Sequence, residues 1–327
     1  MPSENSHINK PAFVLRERMN LELIDLKLFV CIAECGNLTH GAEKAFLSPP
    51  AASARIKSLE QETGQQLFLR SNKGVTLTDA GKVFLRQARL VLRQVDFLIE
   101  EMINPDSGHI RISANTTALT EFLPETLAHF LSKWPGVTVD LQERLTRDIV
   151  RSVADGTSDL GIISGDPKTD DLDIIPFSTD RLMLATSAHH PLSKSDGVMF
   201  RDTLSYEHIS LHEGSTLLDF LRRQFRRSGY EKHLRLQVRS FEAMCRLIEA
   251  GVGIGIVPES AANRHRKTMN IALLNLQDDW SIRTRSVLVR DRTNLPPAAR
   301  ALVDMLVESS PGGERLMMEN SASSASP

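Results

Sequence analysis

The stretch Leu47-Ser48-Pro49-Pro50-Ala51-Ala52-Ser53-Ala54-Arg55-Ile56-Lys57-Ser58-Leu59-Glu60 decides how the N-terminal part of this chain folds. Proline after Ser48 pushes that serine out of the helical region, into the extended backbone that an N-cap requires. Pro49 and Pro50 then fall where a helix has no partner for the N–H groups they lack. A helix opening at Ser48 is the result, with the Ser48 hydroxyl expected to cap the amide of Ala51. Ala52, Ile56, Leu59 and Thr63 face inward at helical spacing, which turns Ser53, Arg55 and Lys57 outward.

Upstream, Leu26, Phe29, Val30 and Ala33 make one apolar helix face, and Gly36 ends that helix in a C′ position. Thr39 sits near the start of a second short helix carrying Ala42, Ala45 and Phe46. Downstream, Leu67 to Leu77 reads as a hairpin whose turn, Ser71-Asn72-Lys73-Gly74, puts Lys73 at a tip. Three short helices and a hairpin over residues 21–78 describe a winged helix-turn-helix, a DNA-reading module. A small helical bundle with solvated charges is the other reading of the pattern alone.

Residues 79–104 form one long helix. Phe84, Ala88, Val91, Val95, Leu98 and Met102 recur at alternating steps of four and three, the a/d seam of a paired helix. The alternative is a surface helix packed on its own domain. Lys82, Arg86, Arg89 and Arg93 make a separate basic stripe. After Asn104-Pro105-Asp106-Ser107-Gly108, a linker by composition, strand and helix patterns alternate to about Glu308. Strands are expected at Ile110–Ser113, Val137–Leu141, Leu160–Ile163, Arg181–Ala185, Ile209–His212, Leu236–Val238 and Ile254–Val257. Helices are expected at about Glu121–Lys133, Thr146–Asp155, Leu217–Arg227 and Phe241–Ala250. Alternation of this kind implies an α/β region with a largely parallel sheet, as one domain or as two lobes with a cleft.

Three places in that region put hydroxyl or amide side chains where a strand hands over to a helix: Asn115-Thr116-Thr117, Gly214-Ser215-Thr216 and Ser240-Phe241. Helix N-termini offer unpaired N–H groups and partial positive charge to small anions. Plain N-capping is the simpler reading of each one alone. If two lobes face each other, the three converge on one cleft with Ser164, and a small organic acid is the expected ligand.

The ordered pattern Leu26-x-x-Phe29, Ala42-Glu43, Leu47-Ser48-x-Pro50-Ala51-x-Ser53-x-x-Ile56-x-x-Leu59-Glu60, Gly64-x-x-Leu67-Phe68-x-Arg70 and Leu77-Thr78-x-Ala80-Gly81 resembles the LysR-type transcriptional regulators. The resemblance runs from about Leu21 to Glu308. It implies a periplasmic-binding-protein-like effector domain at 108–308, with lobe I near 108–180 and 284–308, lobe II near 181–283, and an effector between them. It also implies paired linker helices, a homodimer or homotetramer on an interrupted palindrome of double-stranded DNA, and contact with RNA polymerase. One departure stands out: the family commonly carries Gln where this chain has Pro49, and proline donates no hydrogen bond. Base discrimination is then expected from Ser53, Arg55, Lys57 and DNA shape, with Arg70 and Lys73 on phosphate or the minor groove.

The 327 residues allow two domains, at an ordinary 41 % hydrophobic content. The net charge of -2 hides a local basic excess of three over Lys44–Lys73, where five basic residues face two acidic ones. Cys31, Cys35 and Cys245 suggest no disulfide framework and fit a reducing cytoplasm. The first two, one turn apart, are expected to be buried, and Cys245 to be core. No run is long and apolar enough for a membrane span. Residues 1–20 read as a disordered leader without a signal-peptide core, and 311–327 as a disordered tail. Gly251-Val252-Gly253-Ile254-Gly255 runs from helix to strand, the wrong order for a dinucleotide loop. His189-His190 and His208-x-x-x-His212 lack the further ligands of a zinc site, so no metal and no cofactor are expected. No catalytic set stands out. A transport-class solute-binding protein would share the C-terminal fold but not the winged domain, and an enzyme with a regulatory head lacks its chemistry here.

Overall fold

The computed structural model describes residues 21–71, 74–103, 107–165, 167, 169, 171–224 and 234–308. The leader, the tail, and the expected end of the helix beyond Gln224 lie outside them, as does Lys73. The chain divides into two compact units, Met1–Ile99 and Glu100–Pro327.

In the first unit, α1 (Leu23–Cys35) ends on Gly36 at φ 60°, and α2 (Leu38–Lys44) opens on Asn37, whose side chain accepts the His40 amide at 3.1 Å. Helix α3 (Pro49–Thr63) follows, then β1 (Phe68–Ser71), β2 (Gly74–Leu77) and α4 (Asp79–Ile103). β1 and β2 pair antiparallel from Phe68↔Leu77 to Ser71↔Gly74, the expected hairpin. Phe29 stacks on Phe68 at 4.5 Å and meets Phe84 edge-on at 4.8 Å, so the core joins α1, hairpin and α4. A Cβ on Gly41 would lie 2.5 Å from the Ile32 Cα, which is why α1 and α2 can cross so closely. One Glu60 oxygen accepts the amides of Leu67 and Phe68 at 2.8 and 3.0 Å, fixing the hairpin to α3.

Several local expectations are corrected here. Ser48 occupies the N-cap position, but its side chain makes no capping bond. The buried face of α1 is Leu26, Leu28, Phe29, Cys31 and Ile32, with Val30 and Ala33 only half-buried. Thr63 is half-buried too, because its hydroxyl donates back to the Leu59 carbonyl at 2.8 Å. Phe46 lies beyond α2 in a left-handed conformation, φ 58°, and is exposed. Cys35, in the last turn of α1, is exposed while Cys31 is buried.

The second unit runs β3 (Ser107–Ala114), α5 (Thr116–Glu121), α6 (Leu123–Lys133), β4 (Gly136–Glu143), α7 (Thr146–Ala154), β5 (Leu160–Ser164) and β6 (Asp173–Ser187). It continues with β7 (His208–Leu211), α8 (Thr216–Gln224), β8 (Leu234–Val238), α9 (Phe241–Glu249), β9 (Gly255–Pro258), α10 (Glu259–His265), β10 (Ile271–Asn275), β11 (Ile282–Val289) and α11 (Pro297–Glu308). The sheet order is β10-β6-β11-β5-β3-β4, with β9 also on β6, and β7-β8 form a separate pair. β3 pairs parallel with β4 and β5, and β7 with β8, whereas every pairing made by β6 and β11 is antiparallel. The sheet is therefore mixed rather than largely parallel. Two long strands cross between lobes and return the chain, which βαβ logic does not anticipate.

β6 is the hinge of this arrangement. Its first half pairs with β11 and its second with β9 and β10. Within the β11-paired half, the register slips between Arg285 and Ser286, from Ser178 to Pro176, leaving Phe177 as the extra residue of a bulge. Pro176, unable to donate to the ladder, sits beside that bulge. One core, with Ile112, Phe130, Ile162, Phe177 and Leu302, serves lobe I. Another, with Leu184, Phe200, Ile209, Met244 and Ile256, serves lobe II. Two boundaries differ from expectation: Ser107 and Gly108 open β3 rather than a linker, and the helix expected from Glu121 breaks at Phe122, ahead of Pro124.

Candidate functional site

Thr39 near the start of α2, Ser48, Pro49, Pro50 and Ala51 at the opening of α3, and Lys57 further along α3 are all exposed. Ser53 is half-buried and accepts a hydrogen bond from Arg70 Nη1 at 3.4 Å, which brings the hairpin onto α3. Arg55 behaves differently. Its Nη1 donates to Asp25 Oδ1 at 2.7 Å and Glu22 Oε2 at 3.1 Å, so the guanidinium points back to the start of α1. Those carboxylates hold it firmly in its charged form. Glu34 pairs with two other cations. Burial alone would raise its carboxyl, but Lys44 at 3.0 Å and Arg89 at 3.3 Å overcome that and hold it below the ordinary carboxylate range. The basic stripe on α4 is thus partly spent inside the unit: Arg89 goes to Glu34, Lys82 to Asp79 at 2.8 Å, and Arg93 is buried over the Phe97 ring.

In the second unit, a cleft of about 850 Å³ opens between the lobes. Lobe I contributes Thr146, Arg147 and Val150 from α7, with Ser164, Gly165 and Pro167; lobe II contributes Thr216, Asp219, Phe220, Arg223 and Gln224 from α8, with Arg283 from β11. Of the residues expected there, Ser164 and Thr216 line it. Asn115 stands behind Ser164, donating to its hydroxyl at 3.3 Å while capping Ala118 at 2.9 Å. Ser215 caps Leu218, and Ser240 caps Ala243. Thr116 donates to Glu143, Thr117 is buried, and Phe241 belongs to the lobe II core. Simple capping thus accounts for Ser215 and Ser240, and Asn115, Thr116, Thr117, Ser215, Ser240 and Phe241 do not line the cleft.

Every other lining residue was missed, Thr146, Arg147, Asp219, Arg223 and Arg283 among them. Thr146 could have been found, since it opens a helix directly after a strand like the other three places. Thr146 and Thr216 face the cleft from opposite lobes, each at the first position of a nine-residue helix, and each hydroxyl is buried with no partner. At the junction, buried Asp180 accepts from both Arg283 and Arg285, the latter at 3.0 Å. Arg283 lies over the Phe220 ring at 5.3 Å. Across the lobes, Arg264 of α10 pairs with Glu121 of α5 at 2.7 Å; burial pushes the Glu121 carboxyl up and Arg264 opposes it. Among the described residues, no group of His, Cys, Asp and Glu could hold a metal, and no helix is long and apolar enough to cross a membrane.

Residues 104–311 match the LysR substrate binding domain, and residues 23–82 match the bacterial regulatory helix-turn-helix of the lysR family. The chain belongs to the LysR-type transcriptional regulators. It is 29% identical to an uncharacterized HTH-type transcriptional regulator of Escherichia coli, YbhD, over 88% of this chain and 92% of that one. A probable RuBisCO transcriptional regulator of Nostoc is 30% identical over 73% of this chain and 74% of its own. Full-length OxyR of Pseudomonas aeruginosa shares the fold at a TM-score of 0.67, with 23% identity over 88% of this chain and 98% of that one. This LysR-type chain is therefore a DNA-binding transcription regulator with an effector-binding domain, and its family is one of regulators rather than enzymes.

As LysR-type regulators go, α4 departs from the simple seam. Phe84 packs on Phe29 and Ala88 is buried within the unit, so both serve this chain's own core. Val91, Leu98 and Met102 are exposed and Val95 half-buried, which leaves only the C-terminal part of the seam open.

Proposed function

We propose that this regulator works in the cytoplasm as a homodimer or homotetramer on an interrupted palindrome. In this reading a small organic anion in the interlobe cleft sets how the DNA-reading heads are presented to DNA and to RNA polymerase. The observation that carries the ligand class is the pair of unpartnered threonine hydroxyls, Thr146 and Thr216, at two helix N-termini facing one cleft. Helix N-termini favour negative charge, while the arginines at the cleft are each matched by a carboxylate: Arg223 by Asp219 at 3.3 Å, Arg147 by Asp148 at 3.8 Å and Arg283 by Asp180. A buried hydroxyl without a partner costs about 1–3 kcal/mol, which a bound carboxylate would recover.

On the DNA side, Ser53 and Lys57 read bases, while Arg70 and Lys73 set position on the backbone. Arg55 is assigned instead to holding α3 against α1, because its guanidinium is already taken by Asp25 and Glu22. With Pro49 mute at the helix start, DNA shape takes a larger share of recognition.

Thermal denaturation of the full chain with a panel of small carboxylates and phosphorylated acids tests the cleft. An acid at about a hundred times its Kd adds about 2.7 kcal/mol of stability. The expected result is stabilisation by at least one acid that is lost when Thr146→Val and Thr216→Val are combined. No stabilisation by any acid, or a shift indifferent to that double substitution, contradicts the reading.

A further inference from the structure

The turn between α2 and α3 holds a residue that local energetics disfavour. The Phe46 amide donates to the Glu43 carbonyl at 3.0 Å, and the Leu47 amide to the Ala42 carbonyl at 2.9 Å. That pair of bonds closes α2 and puts Phe46 at C′, the left-handed position that glycine or asparagine normally fills. Phe46 takes φ 58° there, the one positive φ outside glycine among the described residues. Packing does not compensate, because the side chain is 88% exposed. A strained backbone and an unburied ring at one position point to a contact outside the chain.

The neighbours decide what it meets. Phe46 leads directly into Ser48, Pro49, Pro50 and Ala51, the exposed opening of α3. When the start of a recognition helix enters the major groove, the helix before it crosses the backbone, so the turn between them stands at the groove edge. Lys27 of α1, itself exposed, holds its Nζ 5.9 Å from the centre of the Phe46 ring. The turn as a whole is not basic, since Glu43 is exposed beside it and Lys44 is paired with Glu34. The match is local: one apolar ring for a deoxyribose, and one ammonium for the phosphate next to it. We propose that Phe46 and Lys27 form a clamp on the sugar–phosphate edge of duplex DNA, adding affinity without reading sequence. The clamp rests on α3 being the DNA-reading helix.

Titration of the full chain with a duplex of arbitrary sequence, repeated across salt concentrations, tests this. Phe46→Asn, which suits the left-handed backbone, should raise Tm by about 2 °C or more yet weaken binding about threefold or more. Phe46→Trp keeps an apolar ring and should retain the affinity. Lys27→Gln should lower the slope of log affinity against log salt by about one. Unchanged or tighter binding by Phe46→Asn overturns the proposal, as does a loss of the same size with Phe46→Trp or an unchanged slope in Lys27→Gln. A contact with polymerase in place of DNA would show as lost transcription at unchanged DNA affinity, which overturns the clamp too. Failure of the α3 assignment reads differently: Ser53→Ala and Lys57→Ala would then leave binding to a selected site unchanged.

Discussion

Cys245 lies in the lobe II core, and burial, with Glu121 adding to it, pushes its thiol up to about 11. At neutral pH about one molecule in ten thousand would carry the thiolate, the reactive form. Burial raises Cys31 as well, while Cys35 is exposed. Iodoacetamide followed by peptide mapping should therefore label Cys35 in the native protein and all three cysteines after denaturation. Labelling of Cys245 at the pace of Cys35 would contradict this. Glu34 offers a pH-dependent counterpart. Its carboxyl is held below the ordinary value, so its stabilisation is present at neutral pH and disappears as pH falls through the acid range. The Tm difference between wild type and Glu34→Gln should shrink from pH 7 toward about pH 4. A difference that stays constant would remove Lys44 and Arg89 as its cause. Arg55→Ala should lower Tm and weaken specific and non-specific DNA alike, with Arg55→Lys partly restoring both. Loss of specificity alone, at unchanged Tm, would make Arg55 a base reader after all.

At the scale of elements, Phe29 joins α1, the hairpin and α4, and is fully buried. Phe29→Ala should cost about 3–5 kcal/mol in urea denaturation, and a cost well under that would show a core able to collapse around the gap. The open part of α4 is a different case. Val91→Glu with Leu98→Glu places charge on exposed apolar positions, so stability should hold while sedimentation shifts toward monomer. What made the N-terminal elements legible is local: Gly36, Pro49-Pro50 and the hairpin turn act within a few residues. The limits were also local in kind. Periodicity shows that Phe84 and Ala88 belong to an apolar stripe, but not that Phe29 covers part of it. Pro176 hid the first half of β6, because a proline in a strand reads as a stop unless the bulge beside it is known. Among the cleft residues, hydroxyls at strand-to-helix joins led to Thr216, and Ser164 was expected to meet them from the crossover strand. The same signal named Ser215 and Ser240, whose oxygens are used up in capping. Arg283 gave no sequence signal, since its place depends on Asp180, about a hundred residues earlier and buried with it.

For the whole molecule, the DNA-reading head is only weakly basic, with Lys44 and Arg55 already in ion pairs. Few free cations mean few released counterions and weak binding by a single head. Pro49 brings no hydrogen-bond donor to the start of α3. In the proposed assembly, DNA recognition is therefore expected to need two or more heads bound together, joined through α4. Selection of bound sequences from a random double-stranded pool, with wild type and with the Val91→Glu, Leu98→Glu chain in parallel, measures this directly. Wild type should enrich two inverted half-sites set by whole helical turns, about 34–36 Å or a multiple apart, and the substituted chain should enrich none. A single half-site enriched equally by both proteins would contradict the account.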